Sequence, residues 1–152
     1  MQISFYHLTR TSLEKTLPKL LEKILQRDGR AVILTASSKV PALNDSLWTF
    51  RPDGFLPHGT KNDGGDPEDY PLWLTDILEN PNKSQYLVVD GDADFPFTAD
   101  FSHVFYLFDS QQGDQLEKAR TLWRTLKKEA THTLTYWKQD LQGAWVKEST
   151  GE

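Results

Sequence analysis

The stretch "RAVILTASS" at residues 30–38 constrains the fold more than any other part of the sequence. Its apolar residues follow one another without alternation, so a strand formed here has no wet face and is buried on both sides. Strands of that kind belong to parallel sheets covered by helices on both faces. The flanking segments supply such helices. "QISFYHL" (2–8) suits a first strand, and Thr11 with Glu14 three residues on has the form of a capping box. Leu13, Leu17, Leu20, Leu21, Ile24 and Leu25 then recur at helical spacing up to Gly29, a stop signal. Pro18 either kinks this helix in its second turn or marks its start near Leu17. After the second strand, Ser38 is placed to cap a helix carrying Val40, Leu43 and Leu47.

The remainder continues the alternation. A short strand is expected at 55–58, followed by "GTKNDGGDPEDYP" (59–71), a Gly-, Asp- and Pro-rich solvent loop. "PLWLT" (71–75), "QYLVVDG" (85–91) and "HVFYLFD" (103–109) read as strands, and 112–130 as a helix. "HTLTYW" and "AWVKE" around "QDLQG" form a closing strand with an edge or tail segment. The expectation is one α/β domain over residues 1–152, three-layered, with a mostly parallel sheet flanked by helices.

Several functions are excluded or weakened by residue type. There are no cysteines, which removes disulfides, thiolate catalysis and Cys-based zinc sites. No apolar run reaches the length of a membrane span, and "MQISFYHLTR" lacks the form of an export signal, so a cytoplasmic location is expected. The net charge of -5 argues against a protein that coats nucleic acid unaided. "GFLPHGTK" (54–61) mimics a phosphate loop, but Lys61 and Thr60 are transposed, Pro57 removes an amide, and a helix precedes it where a strand is required. The turn after the first strand, "HLTRTS", has no glycine. "LVVDGDAD" ends a strand with Asp90, Asp92 and Asp94, as metal-binding acids do in nucleotide hydrolases, but Phe95 and Phe101 stand where a calcium loop needs Gly and Glu. His7, His58, His103 and His132 show no metal-ligand pairing, and no nucleophile elbow is present. No cofactor is expected.

"GDQLEKARTLWRTLKKEA" (113–130) carries a different chemistry. Leu116, Ala119, Trp123, Leu126 and Ala130 share one face, with Arg120, Arg124, Lys127 and Lys128 beside it. This pattern fits an ordinary amphipathic helix. The alternative is a pocket for an anionic peptide terminus, where Arg120 pairs with a carboxylate and Trp123 borders an apolar slot.

Together these segments resemble the chi-subunit family of bacterial DNA polymerase III. The resemblance rests on "FYHL", on "LW" followed by "RPDGFLPHG" (47–59), on "PLWLT", on "FYLFD", and on "AR" then "W" in the last helix. It implies a fold similar to nucleotide-binding domains and helicase cores without a phosphate loop or polymerase chemistry. It implies a partner, the acidic, phenylalanine-ended tail of single-strand DNA-binding protein, bound through Arg120 and Trp123. A further basic residue expected one turn earlier falls on Leu116, for which Arg124 and Lys127 compensate. A second surface, for the psi subunit of the clamp loader or a helicase-like partner, corresponds to Trp48 and Phe55 with the adjoining Pro57 and His58. Two other classes stay open: direct single-strand nucleic-acid binding through aromatic and basic residues, and a nucleotide-dependent enzyme using Asp90, Asp92 and Lys61.

Overall fold

The computed structural model describes residues 2–49, 56–93, 101–111, 113–129 and 132–148. Within them the chain forms β1 (Gln2–Leu8), α1 (Leu13–Gln26), β2 (Ala31–Leu34), α2 (Val40–Trp48) and β3 (His58–Gly59). It continues with β4 (Leu72–Thr75), β5 (Tyr86–Asp90), β6 (His103–Asp109), α3 (Gln115–Lys127), β7 (Thr133–Gln139) and β8 (Trp145–Glu148). Eight strands form one sheet in the order β3-β4-β2-β5-β6-β1-β7-β8. All neighbours are parallel except β8, which returns antiparallel along β7. The expected α/β architecture with a mostly parallel sheet is the observed one.

Burial explains the layering. All four residues of β2 are buried, as an apolar run with helices on both faces requires. On one face, Leu17, Leu21 and Ile24 of α1 and Leu43 and Leu47 of α2 pack on Ile33, Leu74, Val88 and Phe105. On the other, Ala119, Trp123 and Leu126 of α3 pack on Phe5, Val104, Tyr106 and Phe108. Among the described residues three α-helices serve eight strands, so the sheet is unevenly covered. Strands β7 and β8 are mostly half-buried or exposed, and each face of this edge is left partly open beside a helix.

Several local expectations are corrected. The capping box does not form: Ser12 is the N-cap of α1, with no side-chain cap bond, and Thr11 Oγ1 lies 2.7 Å from Thr16 Oγ1 instead. Pro18 does not start the helix at Leu17. It sits buried inside α1, which begins at Leu13. Ser38 does not cap α2 either; it lies in a 3-10 turn at 37–39, and Lys39 takes the N-cap position. Gly29 follows the helix end, but Asp28 adopts the left-handed conformation (φ 55°). Glycine is required at 29 for space, because a Cβ there would come within 2.9 Å of Ile24 and Tyr86. The short strand expected at 55–58 is β3, two residues long and displaced to His58–Gly59. Phe55 and Asp94 lie outside the described residues, as does Ala130 at the end of the apolar face.

Candidate functional site

Where α3 crosses the β1–β7 edge, a cavity of about 280 Å³ opens between helix and sheet. Its apolar wall is Phe108, Leu116, Ala119, Trp123 and Tyr136, and its charged rim is Arg120 from α3, Lys138 from β7 and Glu148 from β8. Trp123 is buried by T-shaped contacts with Phe5 at 5.0 Å and Tyr136 at 5.7 Å, so its ring is a rigid wall. Arg120 is exposed, and its ion pair among the described residues is with Glu117, 3.3 Å away on the same helix. Such a solvated i,i+3 pair contributes little, which leaves the guanidinium free to turn to an incoming carboxylate.

His7 closes the inner end of the cavity. Its ring stacks on Phe108 at 4.7 Å, and Nδ1 lies 2.8 Å from the Tyr136 hydroxyl. Nε2 is buried without a hydrogen-bond partner. Burial, reinforced by the charges of Lys138 and Arg120 against the opposing Asp109, lowers the His7 pKa to about 4. The ring is therefore neutral at physiological pH, and the cavity's positive charge comes from Arg120 and Lys138. Burial also pushes the Tyr136 hydroxyl up to about 12.

The structure brings Arg120 and Trp123 together as the spacing predicted. Arg124 and Lys127 are exposed on the same helix but do not line the cavity. Their place as the second cation is taken by Lys138, which the helix pattern could not reveal. The parallel register pairing His7 with Lys138, and Phe5 with Tyr136, carries these strand residues to the site. The one sequence signal was a lysine within the aromatic run "TLTYWKQ".

A second surface lies at the opposite edge of the sheet. Trp48, at the end of α2, is 44% exposed and packs on His58 with ring centroids 4.2 Å apart. His58 is buried, its Nδ1 donating to the Leu56 carbonyl at 2.7 Å and its Nε2 2.9 Å from Asn44 Oδ1. Burial lowers its pKa, partly offset by these bonds. His58 thus braces the exposed indole, with half-buried Pro57 next in the chain.

Residues 1–134 match the family described as DNA polymerase III chi subunit, HolC. The chain belongs to the chi-subunit family. A protein of Rickettsia prowazekii (strain Madrid E), described as probable DNA polymerase III subunit chi, is 36% identical over 94 residues. That match covers 61% of this chain and 56% of the relative's length. The family is that of a replication accessory subunit of DNA polymerase III. Among the described residues, no helix is long and apolar enough to cross a membrane.

In this chi-family chain, the places where a nucleotide-binding fold does its chemistry are filled from within. The turn after β1 presents the backbone N–H groups of Thr9, Arg10 and Thr11, and all three donate to one acceptor, Gln139 Oε1, at 3.0, 2.9 and 3.2 Å. Converging amides of this kind form an anion nest. Here a neutral carbonyl of the chain occupies it. At the end of β5, buried Asp90 accepts from Thr35 at 2.8 Å and pairs with Lys39 at 2.7 Å. Lys39 also holds Asp92 at 3.0 Å, and Gln115 donates to the other Asp92 oxygen at 2.7 Å. Burial opposes the Lys39 charge, but the two carboxylates outweigh it and raise its pKa. An ammonium thus stands between the carboxylates that a metal would need. Lys61 is elsewhere, 3.7 Å from Asp76.

Proposed function

We propose that the chain acts by tethering, without chemistry of its own, binding the acidic, phenylalanine-ended C-terminal tail of single-strand DNA-binding protein in the Arg120–Trp123 cavity. The observation that carries this reading is the pairing of an apolar slot with two cations at its mouth. A volume of about 280 Å³ is small for a cofactor and suits one aromatic side chain. The terminal carboxylate then meets Arg120 and Lys138 through charge-assisted hydrogen bonds. Glu148 at the rim favours a pose in which the acidic residues of the tail run over α3, toward Arg124 and Lys127. In this arrangement those two residues contribute by charge at a distance, and the Trp48–Pro57–His58 surface holds psi or a helicase-like partner and so reaches the clamp loader.

Burying one aromatic ring contributes about 1.5–3 kcal/mol and a charged hydrogen bond about 1.5–3 kcal/mol. Even before association costs these two contributions correspond to affinity no tighter than about tens of micromolar, so a single tail binds weakly. Several tails on one partner convert such contacts into a durable link. The test is a calorimetric titration with a peptide copying the tail, beside Arg120→Ala and Lys138→Ala. Each substitution is expected to weaken binding roughly tenfold or more. Binding indifferent to both substitutions would move the tail to another surface.

A further inference from the structure

On the other face of the same sheet edge lies a groove of about 510 Å³ between α1 and the β6–β1–β8 region. One wall is a row of four cations, Lys15, Lys19, Lys23 and Arg27, each four residues from the last. All four are exposed, and no ion pair engages any of them among the described residues. Among the described residues no carboxylate lines the groove. Four unopposed positive charges in a chain of net charge -5 make this a strongly asymmetric feature.

The floor is aromatic. His103 stacks on Phe105 at 4.1 Å, Phe105 lies 5.8 Å from Tyr86 and 6.0 Å from Tyr6, and Tyr6 meets Trp145 edge-on at 5.1 Å. These rings come from β5, β6, β1 and β8, and the last contact, Tyr6 to Trp145, spans β7. Tyr86, His103, Tyr6 and Trp145 are only half-buried, so ring surface is open to the groove.

Helical rise sets the cations about 6 Å apart over a run of about 18 Å. A ligand matching both walls carries regularly repeated negative charge along one side and flat apolar groups along the other. Single-stranded nucleic acid has that construction, and a basic track beside stacking rings is how proteins bind it without sequence preference. We propose that this groove is a single-stranded nucleic-acid site, with phosphates along Lys15, Lys19, Lys23 and Arg27 and bases against Tyr6, Tyr86 and Trp145. It is separate from the Arg120–Trp123 cavity, which opens on the opposite face of the sheet. A chain using both holds the protein coat and the strand beneath it.

Anisotropy titration of a labelled oligothymidylate of about 15 nucleotides tests this. Four phosphate contacts predict a logarithmic salt slope of about -2.8, or about 50-fold weaker binding at 200 mM than at 50 mM salt. The double variant Lys19→Ala/Lys23→Ala should halve the slope, to about sevenfold over the same range. Trp145→Leu should weaken binding at both salts with the slope unchanged, and Arg120→Ala should leave it intact. Absence of binding at the lower salt, or a slope unchanged in the double variant, overturns the proposal. So does displacement of the oligonucleotide by an acidic peptide in an Arg120→Ala background, which would make the groove a peptide site.

Discussion

Acidification should weaken this fold through His7, and the size of the effect follows from its surroundings. Its pKa falls from the ordinary 6.5 to about 4 in the folded protein. The unfolded chain therefore binds the extra proton first, so the stability His7 contributes is fully present above pH 6.5 and is lost as pH falls toward 4. At about 1.36 kcal/mol per unit, the loss amounts to about 2 kcal/mol by pH 5 and about 3 kcal/mol by pH 4. The cause is physical: the protonated ring would place an N–H at Nε2, which has no acceptor, and a charge beside Lys138 and Arg120, against one opposing carboxylate, Asp109. His58 and His103 have lowered pKa values as well, so the decisive quantity is a difference. Urea unfolding of the parent and of His7→Gln, at pH 7, 5 and 4, cancels their contributions. The stability gap between the two proteins should shift in favour of His7→Gln by the amounts above. A gap that stays constant with pH refutes the assignment of a buried neutral imidazole. The same chemistry couples to binding: a carboxylate between Arg120 and Lys138 offsets the charges that hold His7 neutral, so tail affinity should rise from pH 7 to pH 5, and less so in His7→Gln.

Further outcomes are expected elsewhere. Trp123→Ala removes a buried indole held by two T-shaped ring contacts and should cost about 3–5 kcal/mol in denaturant unfolding, along with tail binding. Lys39→Met leaves Asp90 buried with its ion pair broken and should destabilise by about 3 kcal/mol, whereas Lys61→Met, whose ion pair is solvated, should change stability little. Gly91→Ala drives a Cβ to 2.7 Å from Gln115 Oε1 and 3.0 Å from Phe108, which should lower the thermal midpoint and disturb the Gln115–Asp92 bond. Trp48→Ala, at an exposed position, should leave the unfolding free energy within about 1 kcal/mol of the parent while abolishing capture of a partner that docks on the α2 edge.

The sequence by itself determined the elements that local chemistry dictates. Unbroken apolar runs at Ala31–Leu34 and Leu87–Val89, bounded by turn residues, read as strands buried between helices, and the stripe of Ala119, Trp123 and Leu126 reads as a helix with one dry face. The same stripe put Arg120 beside Trp123, because residues three apart on a helix are neighbours whatever surrounds them. Tertiary structure decided everything that depends on long-range pairing. That β7 lies parallel to β1, bringing Lys138 and Tyr136 to His7, is a matter of strand order across more than 120 residues of chain. That Gln139 fills the amide nest after β1, and that Lys39 neutralises Asp90 and Asp92, likewise joins residues far apart in sequence. The capping box failed for a related reason: the backbone donor of Thr11 was claimed by Gln139, a partner that no local pattern contains. Both grooves run alongside a helix, between it and the sheet, and a space of that kind belongs to no single segment.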